Sequence, residues 1–469
     1  MSGPTALDLF CGAGGSSTGL VAAGLRVVLA ANHWPLAVAV HQTNHPDTDH
    51  DCADLAAVDP RRYPATDLLW ASPECTNHSV AKGRRRHTGQ GVLFGADGTD
   101  PAAERSRATM WDVPRFAEAM AARGAPYAGV IVENVVDARW WVGWNGWITT
   151  MTDLGYQHAM VYLNSAFAHG KDYTGAPQYR DRLYVVFWRR GLPTPDLDIR
   201  PPAWCPACET QVDAVQWWKD PARRWGRWRA QYLYRCPGCH GVAEPLAVPA
   251  AAVIDWTDLG PTIADRPRPL ATATRERIRA GLARYGRPIG LPTGGNTFER
   301  HPGVRAWPVD RPRPVITATG EANALAVPPL LVPAGGTWND DAAPADVPLR
   351  TQTTRHETAL ASPDRALLLP YYGTGVAHPA SWPAGTVTTR DRHAVLTPPR
   401  QPADVPDNEV DACRFRMLTV AEIGAAMAFP TDYAMTGARR DRVRMYGNAV
   451  TPPAARLLTE RLITTLRAT

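Results

Sequence analysis

No run of apolar residues in this 469-residue chain is long enough to cross a bilayer, which excludes a helical membrane protein. The opening residues MSGPTALDLF carry no basic stretch followed by an apolar core, so no secretion signal is expected and the chain reads as intracellular. Charged residues are few, at 20%, and a formal net charge of +5 is too small to identify a polyanion partner by itself. Cysteine is scarce and uneven: the eight are Cys11, Cys52, Cys75, Cys205, Cys208, Cys236, Cys239 and Cys413. In a reducing compartment disulfides are not expected, and closely spaced pairs point to metal or catalysis instead. Hydrophobic residues, in contrast, make up 45%, enough for one large domain and at least one more.

Residues 5 to about 190 alternate short apolar runs with helical patterns. Thr5–Phe10 is a strand ending in Cys-Gly-Ala-Gly-Gly, Ser16–Gly24 a helix and Arg26–Ala31 a second strand. Asp67–Ala71, Gly129–Val132 and Leu183–Trp188 are further strands bounded by breakers. Strands alternating with helices imply an α/β fold with a doubly wound, mostly parallel sheet. After Arg190 the composition shifts to Pro, Thr and Arg, and a second, β-rich or irregular domain is expected over 191–411. Helical character returns at Thr419–Met427 and Pro453–Leu466, so residues 1–190 and a C-terminal segment, 412–469, are expected to form one domain around it. Within about 265–398, four copies of a Pro-then-Thr pattern begin at Pro269, Pro314, Pro348 and Pro383. Each reads as a turn into a short strand, serving as β scaffold or as a face toward nucleic acid.

Four constellations carry chemistry. In Asp8-Leu9-Phe10-Cys11-Gly12-Ala13-Gly14-Gly15 a strand ends in glycines and feeds a helix. Backbone N–H groups there can approach a ligand closely, although glycines also make ordinary turns. Ser72-Pro73-Glu74-Cys75-Thr76-Asn77-His78 puts a thiol at the C-terminal end of a strand, where open α/β sheets bind ligands. Such a thiol is a nucleophile if its pKa is lowered and a small buried hydrophobe otherwise. Glu133-Asn134-Val135 follows another strand; a carboxyl group beside a base ring can protonate or hydrogen-bond a ring nitrogen, or merely cap backbone. Gln178-Tyr179-Arg180-Asp181-Arg182 opens a strand, and arginines two apart on a strand share a face, toward a ligand or toward solvent.

The order of these pieces says more than any one of them. Residues 5–188 and 412–466 resemble the DNA (cytosine-5) methyltransferase family. That family has Asp-Leu-Phe-x-Gly-x-Gly-Gly, Pro-Pro-Cys-Gln-x-Phe-Ser, Glu-Asn-Val and Gln-x-Arg-x-Arg in this order. Its closing motifs correspond here to Arg416-Met417-Leu418-Thr419-Val420-Ala421-Glu422, Phe429-Pro430 and Gly447-Asn448-Ala449-Val450-Thr451-Pro452-Pro453. The resemblance implies an S-adenosylmethionine-dependent enzyme with a Rossmann-like catalytic domain and a target-recognition domain. It would act as a monomer on duplex DNA, in the cytoplasm of a prokaryotic or phage-infected cell. Cys75 would attack carbon 6 of a flipped-out cytosine, Glu133 would bond ring N3, and Arg182 would hold the carbonyl at position 2, with Arg180 in the same catalytic set. Phe10, Gly12, Gly14, Asn32, His33, Asp54, Asn448 and Val450 would line the donor site. Lys82, Arg84, Arg85 and Arg86, in the loop after the nucleophile, and Gln178 would contact DNA.

Two departures stand out. Glu74, Thr76 and His78 replace the family's Pro, Gln and Phe around the nucleophile, and Asn32 replaces a donor-binding Glu. A modified donor, a tRNA substrate on the same scaffold, and a catalytically silent DNA-binding module are the alternatives. The intact Cys75, Glu133 and Arg182 argue against the last.

The middle region adds Cys205-Pro-Ala-Cys208 and Cys236-Pro-Gly-Cys239, with 27 residues between the pairs. Two such knuckles, over about 203–242, are a four-thiolate Zn2+ signature, structural because four thiolates leave no open position. Between them lie Trp217, Trp218, Arg223, Arg224, Trp225, Arg227, Trp228 and Arg229, suited either to nucleic-acid contact or to the core of a small ribbon.

Overall fold

The computed structural model describes residues 3–74 and 109–253, most of 255–279, strand segments between 289 and 396, and 405–467 apart from Leu418. It divides into two compact units, Met1–Ile254 with Val309–Glu321 and Leu418–Thr469, and Asp255–Pro308 with Ala322–Met417.

The first unit is built on strands β1 (Thr5–Leu9), β2 (Arg26–Asn32), β3 (Asp49–Cys52), β4 (Leu68–Ala71), β5 (Gly129–Asn134), β6 (Tyr156–Asn164), β7 (Gln178–Tyr179) and β8 (Asp181–Arg189). Seven of them form one sheet in the order β3-β2-β1-β4-β5-β8-β6. β4 and β5 are buried at every residue, as expected for strands covered on both faces. Helices α1 (Gly15–Ala22), α2 (Pro35–Asn44), α3 (Asp112–Ala122) and α4 (Trp144–Asp153) connect the strands. Pairing is parallel from β3 through β5. β8, the strand expected at Leu183–Trp188, runs antiparallel to both of its neighbours. The chain between β6 and β8 holds a short 3-10 turn, Ser165–Phe167, and the two-residue β7 but no α-helix, whereas a parallel crossover usually needs one.

Register decides where the strand ends emerge. Leu9 lies opposite both Ala31 and Ala71, and Ala71 lies opposite Val132. Phe10, Asn32, Ser72 and Glu133 therefore lie in one row at the sheet's C-terminal edge, where open α/β sheets bind their ligands.

The C-terminal segment completes this unit. Thr419 and Glu422 form a capping box at the start of helix Val420–Ala426. Helix Pro452–Arg467 packs on α1 at Gly19, where a Cβ would lie 2.5 Å from Ala455 Cβ and 2.6 Å from Pro452 O. Leu458 and Leu462 enter a core shared with Leu68, Ile131 and Val186. Among the described residues no helix is long and apolar enough to cross a membrane.

Strands β9 (Pro202–Cys205), β10 (Thr210–Asp213), β11 (Val215–Trp218), β12 (Tyr232–Arg235) and β13 (Glu244–Pro245) form two small antiparallel sheets, β10-β9-β13 and β11-β12. Ala203, Tyr232, Tyr234 and Cys236 share one hydrophobic cluster with Leu7, Leu9, Val130 and Phe187 of the main sheet. This ribbon thus packs with the first unit, whereas the composition break at Arg190 groups it with the middle region.

The second unit contains an antiparallel sheet of Trp307–Pro308, Ile289–Pro292, Asn323–Val327 and Arg414–Met417, in that order. Arg275 pairs with Asp411 and Arg279 with Asp407 inside it. Nearly all of the Pro-Thr copies lie outside the described residues.

Candidate active site

The turn after β1 is held in an unusual backbone shape. Phe10 has φ 59°, Gly12 φ 54° and Gly14 φ 98°. A phenylalanine in the left-handed region costs on the order of 1 kcal/mol. Gly14 admits no side chain, since a Cβ would sit 2.3 Å from the Tyr433 hydroxyl and 3.0 Å from His45 Nε2. Gly12 instead faces open space, with nothing within 4 Å of where its Cβ would be. Below the turn, Asp8 is fully buried and accepts hydrogen bonds of 2.6 Å from the hydroxyls of Ser16 and Ser17. Burial outweighs those bonds and lifts its pKa to about 7. Burial also holds the Cys11 thiol well above its ordinary range, with Asp8 adding to the effect, so Cys11 has no thiolate character.

Of the residues expected at the donor site, Asn32, His33 and Asp54 stand at the C-terminal ends of β2 and β3. Asn32 Oδ1 accepts from the Trp34 backbone N–H at 2.9 Å. His33 is exposed, with Nδ1 3.7 Å from Glu74 Oε1. The unusual neighbour of the expected nucleophile thus directs its carboxylate to the end of β2. Asp54 Oδ1 closes a turn by accepting from Ala56 N at 3.1 Å. Val450 is buried, and its carbonyl backs Gly15, where a Cβ would lie 2.1 Å from that oxygen. Asn448 is exposed at the end of helix Arg439–Asn448.

At the end of β5, Glu133 and Arg182 form an ion pair, Nε to Oε1 2.9 Å, with side chains only 11% and 13% exposed. Asn134 Nδ2 donates to the Pro73 carbonyl at 3.3 Å, tying the Glu-Asn-Val turn to the chain that follows β4. Cys75, Lys82, Arg84, Arg85 and Arg86 lie outside the described residues.

Two of the expected site residues are buried against the C-terminal segment. Gln178 is fully buried and donates through Nε2 to Ala426 O at 3.3 Å, with Met427 Sδ at 3.0 Å, so it ties the chain to the C-terminal segment. Arg180 is 2% exposed, and its Nη2 donates to Gly447 O at 3.1 Å and Ala449 O at 3.0 Å. It anchors the Gly-Asn-Ala-Val turn, leaving Arg182 as the arginine beside Glu133.

The four ribbon cysteines converge, with their sulfur atoms all within 4.8 Å of one another. Cys205 and Cys239 sulfurs are 3.4 Å apart, and those of Cys208 and Cys236 3.9 Å. The residue after each knuckle, Glu209 and His240, takes a left-handed φ of 50° and 58°. The tryptophans between the knuckles divide. Trp218 and Trp228 pack against the core, while Trp217 is 44% exposed under the Arg235 guanidinium. Two residues that the sequence did not single out, Asp137 and Asp181, receive bonds from the ribbon, the first from Arg227 and the second from the Trp228 N–H at 3.1 Å.

Residues 5–203 and 368–464 match the sequence model of the C-5 cytosine-specific DNA methylase family. Type II methyltransferase M.HgiDI of Herpetosiphon aurantiacus is 31% identical over 188 residues, 39% of this chain and 52% of that protein. Type II methyltransferase M.AgeI of Thalassovita gelatinovora is 30% identical over 96 residues, 19% of this chain and 22% of that protein. The crystal structure of S. pombe Dnmt2 methyltransferase aligns with a TM-score of 0.49 at 12% identity, covering 99% of each chain. The chain thus spans about half the length of the first of these relatives. With more than half of its residues matched, it belongs to the C-5 cytosine-specific DNA methylase family.

Proposed function

We propose that this protein is a DNA (cytosine-5) methyltransferase, a cytoplasmic enzyme acting as a monomer on duplex DNA. The observation that carries this reading is the Glu133–Arg182 pair at the C-terminal edge of the sheet, in one row with the ends of β1, β2 and β4. S-adenosylmethionine supplies the methyl group. Its site fits the edge available: the open face at Gly12, the strained turn from Phe10 to Gly14, and Asn32 and His33 at the next strand end. The Cys75 thiolate adds to carbon 6 of an extruded cytosine, and Glu133, as the carboxylic acid, donates its proton toward ring N3 as negative charge develops on the ring. Arg182 orients that carboxyl group, and its guanidinium would hold the ring carbonyl at position 2. Carbon 5 then takes the methyl group as the donor's sulfur–methyl bond breaks and leaves the neutral thioether; loss of the carbon-5 proton to water and expulsion of the Cys75 thiolate restore the aromatic ring.

The test is transfer of labelled methyl groups from S-adenosylmethionine to duplex DNA and, separately, to tRNA. DNA should gain label as a nucleoside heavier by one methyl group, and Cys75→Ser should give none. Label in tRNA alone, a larger mass gain, or an active Cys75→Ser variant would each overturn the proposal. Removing the charges of Lys82, Arg84, Arg85 and Arg86 should weaken binding to every DNA sequence and flatten its dependence on salt.

The ribbon cysteines are read as a structural Zn2+ site. Four thiolates at about 2.3 Å from a tetrahedral ion lie about 3.8 Å apart, close to the sulfur separations of 3.4 and 3.9 Å. The Gly241 backbone N–H also donates to Cys239 Sγ at 3.4 Å, a bond that suits an ionised sulfur. Metal analysis should find about one equivalent per chain.

A further inference from the structure

We propose that the ribbon positions the catalytic pair, through Arg227 and Trp228; the proposal deepens the functional reading above and rests on it. These two consecutive residues bond to the two segments that carry Glu133 and Arg182. The Arg227 guanidinium pairs with Asp137, a buried carboxylate four residues beyond Glu133. The Trp228 backbone N–H donates to Asp181 Oδ1 at 3.1 Å, and Asp181 O in turn accepts from Arg182 Nη1 at 2.9 Å. One dipeptide of the ribbon therefore holds the segment carrying the acid and the segment carrying its arginine.

The dipeptide is itself rigidly held. Gly226 before it has φ 143° and Arg229 after it φ 63°. Arg227 N donates to Gln231 Oε1 at 2.8 Å, and Gln231 N returns to Arg227 O at 2.9 Å. The Trp228 ring packs edge-on against Phe167 at 4.7 Å and lies 5.0 Å from Tyr179, between centroids. A second tie, Gln216 Nε2 to Tyr162 O at 2.9 Å, joins the ribbon to β6 beside β8. Rigid support behind a catalytic pair matters because small displacements of reacting groups cost large factors in rate. Arg227 and Trp228 touch no reacting atom in this scheme; they are positioning residues.

The experiment compares wild type with Arg227→Ala, Arg227→Lys, Asp137→Ala and the Arg227→Ala/Asp137→Ala double variant. Two quantities are read: methyl transfer under steady-state conditions, and backbone hydrogen exchange. Arg227→Ala should lower kcat about tenfold or more while KM for DNA and for the donor stays within about threefold. Arg227→Lys, which keeps the charge but not the planar fork, should recover part of that loss. The double variant should lose no more than the worse single one, as expected of a pair acting together. Amides of 133–140 and 178–184 should exchange faster in Arg227→Ala, with those of 202–213 unchanged. An unchanged kcat, additive losses, or unaltered exchange at 133–140 and 178–184 would overturn the proposal. If wild type transfers no methyl group to DNA, the functional reading falls, and the exchange measurement alone decides whether the ribbon steadies this pair.

Discussion

Arg180 and Arg182 stand two positions apart and hold different partners. Alternation along a strand would put both on one face, but β8 begins only at Asp181, so Arg180 precedes the strand and the rule does not reach it. Arg180→Met should leave the carbonyls of Gly447 and Ala449 buried without these donors, at about 1–3 kcal/mol each. It should therefore melt earlier and bind the donor more weakly. Arg182→Met should lower kcat a hundredfold or more, the scale at which groups at a reacting ring act. Thermal unfolding and steady-state kinetics of the two variants check this, and interchanged patterns would refute the assignment. Asp8 makes a second prediction at this scale. Its carboxyl group titrates near 7 when folded, far above its unfolded range. The folded state therefore keeps a proton that the unfolded chain releases above about pH 4. The stability from this group is complete below that point and is lost as pH rises through 7, on the order of 4 kcal/mol in all. Asp8→Asn keeps an acceptor for Ser16 and Ser17 without titrating. Its stability to urea should change less between pH 5 and pH 8 than that of wild type; parallel losses would show that Asp8 is not the source.

At the scale of elements, the inner strands were legible because burial of both their faces demands unbroken apolar runs such as Leu68–Ala71 and Gly129–Val132. The site residues at their ends were legible with them, because glycine and polar residues interrupt such runs where ligands approach. β6 was not. It pairs only with β8 and carries Gln157 and His158 among its apolar residues, so it lacks an inner strand's signature. The partners of Asp137 and Asp181 were also hidden, since they lie 90 and 47 positions away and no local pattern links them. α1 and the C-terminal helix make the testable contact here. Gly19→Val would push a branched side chain into Ala455 and the Pro452 carbonyl. Overpacking of this kind costs about 1–3 kcal/mol. A lowered melting temperature is expected, and an unchanged one would mean that the two helices separate freely.

Over the whole chain, composition and packing divide the protein differently. The rise in Pro, Thr and Arg after Arg190 is a property of local sequence, whereas membership of a unit depends on which side chains share a core. Tyr232 and Tyr234 are fully buried in the cluster that also holds Leu7, Leu9 and Phe187, and Cys205 and Cys236 lie in that same cluster. Two of the four proposed zinc ligands are therefore core residues of the first unit, not of a separate module. Such a ribbon cannot be released without exposing part of the sheet's own core. Removal of the metal by a chelator, or Cys208→Ser in its place, should thus lower the melting of the first unit as a single transition. The shift should be large, because a structural ion contributes its binding energy to folding. Differential scanning calorimetry of the full chain, with and without chelator, distinguishes the outcomes. A separate low-temperature transition with the main one unmoved would mean that the ribbon folds by itself. An unchanged trace from a protein shown to have lost its metal would mean that the thiolates do not support the core.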